Sequence, residues 1–226
     1  MITQNDKLAE VLSRNINLLP IIVRFGAHSN IGQESIKAIC SGKGIDLAFF
    51  LSVINTYNSS EYFPNGDFID LGLLVDFLTK THDYHKIVTI PRLQSLIKEL
   101  KTKLPDKKLS TILEKYFNEY VERLLNHIKF EEDFIFPLVK MGVKEHQKES
   151  LKKLKKLFSQ HTNVETEIND LIVVIIQHIP EYSDEQLFFE ILHTLTHFEL
   201  EQIDHARFED KILVPRLLRL LTHEEH

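Results

Sequence analysis

Apolar side chains recur every three or four positions along most of the chain, which is the period of an amphipathic α-helix. Past residue 68 this pattern forms four long segments, at about 71–103, 108–140, 146–178 and 184–213. Pro105, Gly142 and Pro180 stand near the three breaks, and Pro215 follows the last segment. Short connections force neighbouring helices to run antiparallel. The pattern therefore predicts an all-α fold, an up-down-up-down four-helix bundle over residues 68–220.

The first 60 residues show a shorter version of the same period. Four brief helical pieces are predicted, at 7–14, 18–25, 34–40 and 46–55. Glycines separate most of them, and a polar, turn-rich stretch at 58–67 follows. We therefore expect a small helical N-terminal domain at residues 1–60.

Single residues refine the helix limits. Asp46 and Asp70 stand where N-caps are needed, directly before apolar helical patterns. Pro91 lies inside the first long segment, so we expect it to bend that helix. Pro215 is expected to end the fourth.

Histidine and glutamate interrupt the apolar stripes of the four long segments. His127 and Glu131 occupy inward positions of the second segment, and His205 and Glu209 occupy those of the fourth. The first and third segments each place a lone histidine inward. These are His82, with His85 nearby, and His161.

Two of these stretches repeat each other. Both read H-x-x-F-E-[ED] with a proline ten residues after the histidine, beginning at His127 and at His205. The offset is 78 residues for the histidine, the glutamate and the proline, and 79 between His82 and His161. The chain therefore contains a duplicated helical hairpin. Each copy supplies one lone histidine and one His-x-x-x-Glu pair on a single helical face.

Counting residues back to the turns at a rise of ~1.5 Å places these groups at one height of the bundle. Unpaired buried charges are costly, and a bound metal would compensate them. The expected ligands are His82, His127, Glu131, His161, His205 and Glu209. Glu132 and Asp210 point away by the same helical arithmetic, while His85 is an alternative to His82 or a hydrogen-bond partner of the site. The competing interpretation is a metal-free polar core.

Imidazole and carboxylate ligands suit iron, manganese or zinc, and two carboxylates can bridge two ions, so we favour two irons. The net charge of −6 argues against a nucleic-acid partner. A single cysteine, Cys40, excludes a thiolate metal cluster, and no apolar run approaches the length of a membrane span. We expect a cytoplasmic protein.

With these motifs, the chain resembles the hemerythrin-like (HHE cation-binding) domain, in the form found in iron–sulfur cluster repair di-iron proteins. The resemblance covers about residues 70–216. It implies a non-haem di-iron centre, with Glu131 and Glu209 as bridges. The expected terminal ligands are His127 and His161, or His82 and His205. The resemblance also implies a role in nitrosative and oxidative stress, in which damaged iron–sulfur clusters are repaired by iron donation or NO is processed. The alternative is a sensor or store of O₂ or NO that signals through the N-terminal domain.

The chain departs from that family in two places. Members commonly carry two adjacent cysteines in the N-terminal domain, and this chain has only Cys40. Many members also have a further histidine near the end of the first long helix, whereas no histidine occurs here between residues 86 and 126. One iron is therefore expected to have a water, an open position or His85 in that place.

Overall fold

The computed structural model describes residues 1–28, 31–141, 154, 167–179 and 184–223. It consists of α-helices, and no strand occurs among the described residues, which confirms the all-α prediction. The helices are α1 (Leu8–Arg14), α2 (Leu19–Arg24), α3 (Ile36–Lys43), α4 (Leu47–Asn58), α5 (Leu71–Tyr84), α6 (Ile90–Lys103), α7 (Lys107–Phe130), α8 (Phe136–Met141), α9 (described over 167–178), α10 (Glu185–Phe208) and α11 (Val214–His223). Short 3₁₀ turns occur at Ile16–Leu18 and Gly66–Phe68.

By its internal packing the chain divides into two compact units, Met1–Thr81 and His82–His226. The domain limits 1–60 and 68–220 stay predictions. The third long segment, predicted at 146–178, lies mostly outside the described residues. No helix in the described ranges has both the length and the apolar character that a bilayer crossing requires.

The first unit packs its short helices around an apolar core. The members of this core include Leu8, Leu18, Ile22, Ile36, Phe50 and Ile54. Asn55 is buried there, and both polar atoms of its side chain are hydrogen-bonded. Its Oδ1 accepts the N–H of Ile2 at 2.6 Å, and its Nδ2 donates to the carbonyls of Ile2 and Leu51 at 2.9 Å. Asp46 caps α4 as predicted, since its Oδ1 accepts the N–H of Phe49 at 2.7 Å.

In the second unit, α6 packs against both α7 and α10. The shared core is apolar and includes Leu93, Ile97, Leu113, Phe117, Ile175, Leu187, Ile191 and Leu195. The turn between α6 and α7 is closed by polar groups at both helix ends. Asp106 Oδ1 accepts the N–H groups of Lys108 and Leu109 at 2.9 Å. Lys107 Nζ donates to the carbonyl of Leu104 at 2.9 Å, so a cation meets the negative end of α6.

Among the described residues, the first, second and fourth long segments each contain a π turn, at His85–Thr89, Glu131–Ile135 and Glu209–Leu213. Each turn ends with a backbone N–H that donates to the carbonyl five residues earlier, as Phe136 does to Glu131. A proline follows six residues after the start of every turn, at Pro91, Pro137 and Pro215. Proline lacks an N–H, and its ring collides with the carbonyl four residues earlier in an α-helix. The wider turn contains that carbonyl, so the helix continues past the proline.

These π turns correct two predictions. Pro215 does not end the fourth helix, because α10 continues through the π turn into α11. Each π turn also adds a residue to one helical turn, which shifts the inward stripe after it. Phe134, which a constant helical period counted from His127 and Glu131 places on the inward face, is 43% exposed, while the next residue, Ile135, is fully buried. Pro91 produces a π turn within a continuing helix.

Candidate metal centre

Four of the expected ligands meet in the interior of the second unit. His82, Glu131, His205 and Glu209 are all buried, and each offers one ligand atom within 4.8 Å of the others. His82 lies near the end of α5, His205 lies near the end of α10, and each glutamate opens a π turn. Residues from three separate helical segments thus converge, as the matched heights predicted.

The fifth expected ligand, His127, lies beside the same group. Its Nε2 is 3.0 Å from Glu131 Oε1, and its side chain is 11% exposed. The other oxygen of that carboxylate, Oε2, lies 3.4 Å from Nε2 of His82. The two oxygens of Glu131 therefore face two different imidazoles, on α7 and on α5.

The donor spacing fits a bound cation. Nε2 of His82 lies 3.2 Å from Nε2 of His205, which in turn lies 3.1 Å from Glu209 Oε1. Donors that surround one ion at ~2.0–2.1 Å are separated by about 2.8–3.4 Å in tetrahedral geometry or between neighbouring positions of an octahedron. Two imidazole nitrogens that face one another need a proton or a cation between them, because both lone pairs otherwise repel. The residues present therefore suit a metal.

The charge of the site points the same way. Glu131 and Glu209 are fully buried carboxylates, and ions held in such a place must be compensated. Burial alone would lower the pKa of His82, but its hydrogen bonds to Glu131 and Glu132 and the charges of the buried glutamates outweigh burial. Together they raise the pKa of His82 to about 9. The carboxylates thus attract positive charge to the centre of the cluster.

An aromatic ring packs against one member of the cluster. The ring of Phe136 stacks on His82 with centroids 5.4 Å apart. Phe208, which directly precedes Glu209, is fully buried. Apolar rings beside the ligands exclude water and strengthen electrostatic interactions at the site.

The remaining histidines occupy different places. His161 lies outside the described residues, so its role as a ligand stays a prediction. His85 is buried but does not join the four-residue group. Its Nε2 lies 3.7 Å from Glu201 Oε2, and its ring contacts Phe198 with centroids 4.9 Å apart. Nδ1 of His197 lies 3.7 Å from the other oxygen of Glu201, Oε1.

Sequence reasoning missed two carboxylates near the site. Glu201 is buried one turn before His205, where the spacing of four residues gave an available signal. Glu132 was set aside as pointing away, yet its Oε1 lies 3.1 Å from Nδ1 of His82. Helical arithmetic treats each helix alone, and Glu132 reaches a histidine on another helix.

The chain matches a known protein family over more than half of its length. The model of the hemerythrin HHE cation binding domain matches residues 73–217, which is more than half of the chain. The chain belongs to this family. No curated protein matches it. The matched range contains all four members of the buried His and Glu cluster.

Family membership and the cluster together indicate a non-haem metal site. Iron is the typical metal of HHE cation-binding domains, and hemerythrin-like domains can bind small ligands such as O₂. The family match ends at residue 217, within α11, so it includes the three π turns as well as the cluster.

Proposed function

We propose that this HHE-family protein binds two iron ions and acts in the response to nitrosative and oxidative stress, in the repair of iron–sulfur clusters. The proposed ligands are the six residues that the duplicated hairpin supplies, His82, His127, Glu131, His161, His205 and Glu209. Manganese or zinc could occupy the same ligands, since imidazole and carboxylate accept all three metals.

The observation that carries the dinuclear proposal is the way Glu131 presents its two oxygens. Oε2 lies 3.4 Å from His82 and Oε1 lies 3.0 Å from His127. A carboxylate that faces a different imidazole with each oxygen is placed to bridge two ions. Glu209, related to Glu131 by the duplication, is the second proposed bridge. Iron held there supplies a redox-active centre at which O₂ or NO can bind.

Two modes of repair follow from such a site, release of iron to a damaged cluster and removal of NO. Release through a cysteine of this chain is not part of the proposal. Cys40 is buried, and burial together with the negative charge of Asp46 raises the pKa of its thiol to about 11. The thiol therefore stays protonated at neutral pH and is a poor iron ligand.

The second candidate function is a sensor or store of O₂ or NO that signals through the N-terminal domain. The observation in its favour is the burial of both bridging carboxylates. Buried ligands favour retention of the metal while a small diatomic molecule binds and leaves.

The metal site is tested by anaerobic purification and measurement of iron, manganese and zinc per chain. We expect close to two irons in the wild type and none in the double variant Glu131→Ala, Glu209→Ala, because both bridges are lost. The matched control is Glu119→Gln, Glu122→Gln, which removes two exposed carboxylates of α7 and should keep the metal. Absence of metal from the wild type, or zinc retained by the double variant, would contradict the di-iron proposal.

The two functions are separated by mixing the iron-loaded protein with an apo iron–sulfur protein or with NO. Transfer of iron that rebuilds the cluster supports repair. Reversible binding of NO or O₂ with the iron content unchanged supports sensing or storage. The double variant Glu131→Ala, Glu209→Ala should do neither.

A further inference from the structure

Glu132 occupies a special place beside the candidate metal centre. It follows the proposed bridge Glu131 in the chain, and its side chain is 28% exposed while that of Glu131 is fully buried. Its Oε1 lies 3.1 Å from Nδ1 of His82, on the side of the ring that faces away from the other members of the His and Glu cluster. The ring of His82 therefore has Nε2 directed at Glu131 and His205, and Nδ1 directed at Glu132.

A second residue holds the carboxylate of Glu132 in this position. Lys86 Nζ donates to Oε1 at 3.0 Å and to Oε2 at 3.3 Å. The same ammonium lies 3.0 Å from Asp83 Oδ1. Lys86 belongs to the π turn that follows His82, so the first long helix supplies both the histidine and the cation that fixes its partner.

We infer that Glu132, held by Lys86, is a positioning residue that fixes the ring of His82 with Nε2 toward the metal. This inference rests on the proposed metal site. An ionised carboxylate can only accept hydrogen bonds, so Nδ1 of His82 must carry the proton that it donates. With Nδ1 protonated, the lone pair of Nε2 is available to the metal. The negative charge of the Glu132 carboxylate also makes Nε2 a stronger electron-pair donor to the metal.

Within the four-residue cluster, the described contacts distinguish His82 from His205. His205, the other histidine of the cluster, has no hydrogen-bond partner for Nδ1 among the described residues. Asp133 follows Glu132 directly and is exposed. Of the three successive acidic residues at 131–133, Glu131 belongs to the His and Glu cluster, Glu132 contacts the outer nitrogen of His82, and Asp133 is exposed to solvent. Asp133 therefore provides a matched control for Glu132.

The inference predicts faster metal loss when Glu132 is changed. Replacement of a hydrogen-bond partner behind a metal-bound histidine typically costs 10–100-fold in metal affinity. We therefore expect Glu132→Gln to release metal about tenfold faster or more. Glu132→Asp keeps the charge but is shorter by one methylene, so its carboxylate cannot hold the same contact. A positioning role predicts release several-fold faster than wild type in this variant too.

The experiment uses the full chain loaded anaerobically with Fe²⁺ or with Co²⁺, and the rate of metal removal by a chelator is measured. Wild type, Glu132→Gln, Glu132→Asp and Asp133→Asn are compared, with circular dichroism to verify folding. Co²⁺ also shifts the NMR signals of ligand protons, so the slowly exchanging Nδ1–H of His82 can be followed. We expect that signal in wild type and Asp133→Asn, and rapid exchange or loss of it in both Glu132 variants.

Each outcome decides a different point. If all variants take up metal normally and Glu132→Gln releases it at the same rate as Asp133→Asn and the wild type, the role of Glu132 is overturned and the metal site is left intact. Wild-type release from Glu132→Asp, with fast release only from Glu132→Gln, overturns positioning in favour of a simple charge effect. A wild type that takes up neither Fe²⁺ nor Co²⁺ overturns the metal site itself, and the inference with it.

Discussion

Two halves of the same bundle are built on different principles. Near the turn between α6 and α7, the facing side chains are almost all apolar, with Ile97, Leu113, Phe117 and Ile191 fully or nearly fully buried. At the other half, the same long helices bury His82, Glu131, His205 and Glu209. We call the first region, around Phe117, the apolar half of the bundle. We call the second region, around His82 and Glu131, the metal half.

The difference teaches which half can stand without a ligand. Apolar burial stabilises the apolar half at any metal concentration, since it needs only the exclusion of water. The metal half places two fully buried carboxylates together, and each unpaired ion costs several kcal/mol. The imidazoles of His82 and His205, together with that of the neighbouring His127, compensate these charges in part when they are protonated. The apolar half therefore sets the fold, and the metal half is expected to depend on its cation.

The largest expected effect concerns the apolar half. Phe117→Ala should lower the free energy of unfolding by about 3–5 kcal/mol, because the ring is fully buried and its loss leaves a cavity. Urea denaturation of the folded variant measures this change. Iron per chain should stay as in the wild type, since the ligands are untouched. Ile112→Ala, at a 52% exposed site on the same helix, should cost far less. Loss of metal from Phe117→Ala would break the comparison.

Metal removal should act on the metal half alone. A ligand present at about 100 times its dissociation constant stabilises the native state by ~2.7 kcal/mol, and this is lost in the apo protein. Hydrogen exchange should then become faster in the π turns Glu131–Ile135 and Glu209–Leu213. Amides at 113–121 of α7 should keep their protection. Equal acceleration in both halves would show that the bundle responds as one unit.

The smallest expected effect concerns the N-cap of α7, which lies in the apolar half. Asp106→Ala removes the cap of α7 at the apolar half and should cost about 1 kcal/mol in unfolding free energy. The rate of metal release to a chelator should not change. Glu119→Ala, at an exposed position within α7, serves as the control and should have little effect on either quantity. Faster metal release from Asp106→Ala alone would indicate that the two halves are coupled.

Much of the fold could be predicted because helical periodicity and caps are local signals. Asp70 accepts the N–H of Leu73 at 2.9 Å and Asp184 that of Leu187 at 3.1 Å, so both long helices begin where the sequence placed them. The grouping of His82, Glu131, His205 and Glu209 followed from equal distances to the turns. Those distances depend only on helical rise and on antiparallel packing.

The rest needed information that periodicity does not contain. A π turn inserts one residue without interrupting the helix, so a pattern fitted at a constant 3.6 residues per turn places Phe134 inside and misses Ile135. The contact between Glu132 and His82 joins side chains 50 positions apart, on two helices. Such contacts depend on how the helices pack, and no pattern within one helix reveals them.

The two copies of the duplicated hairpin differ in length by one residue, and the π turn at His85–Thr89 lies within the longer copy. His127 follows His82 by 45 positions, whereas His205 follows His161 by 44. One residue more than an α turn is what a π turn holds. With the extra residue inside His85–Thr89, the offset after it is 78, so Pro91 corresponds to Asn169, which lies in α9. The one-residue difference in length between the two hairpins is thus the length that a π turn accommodates within a continuing helix.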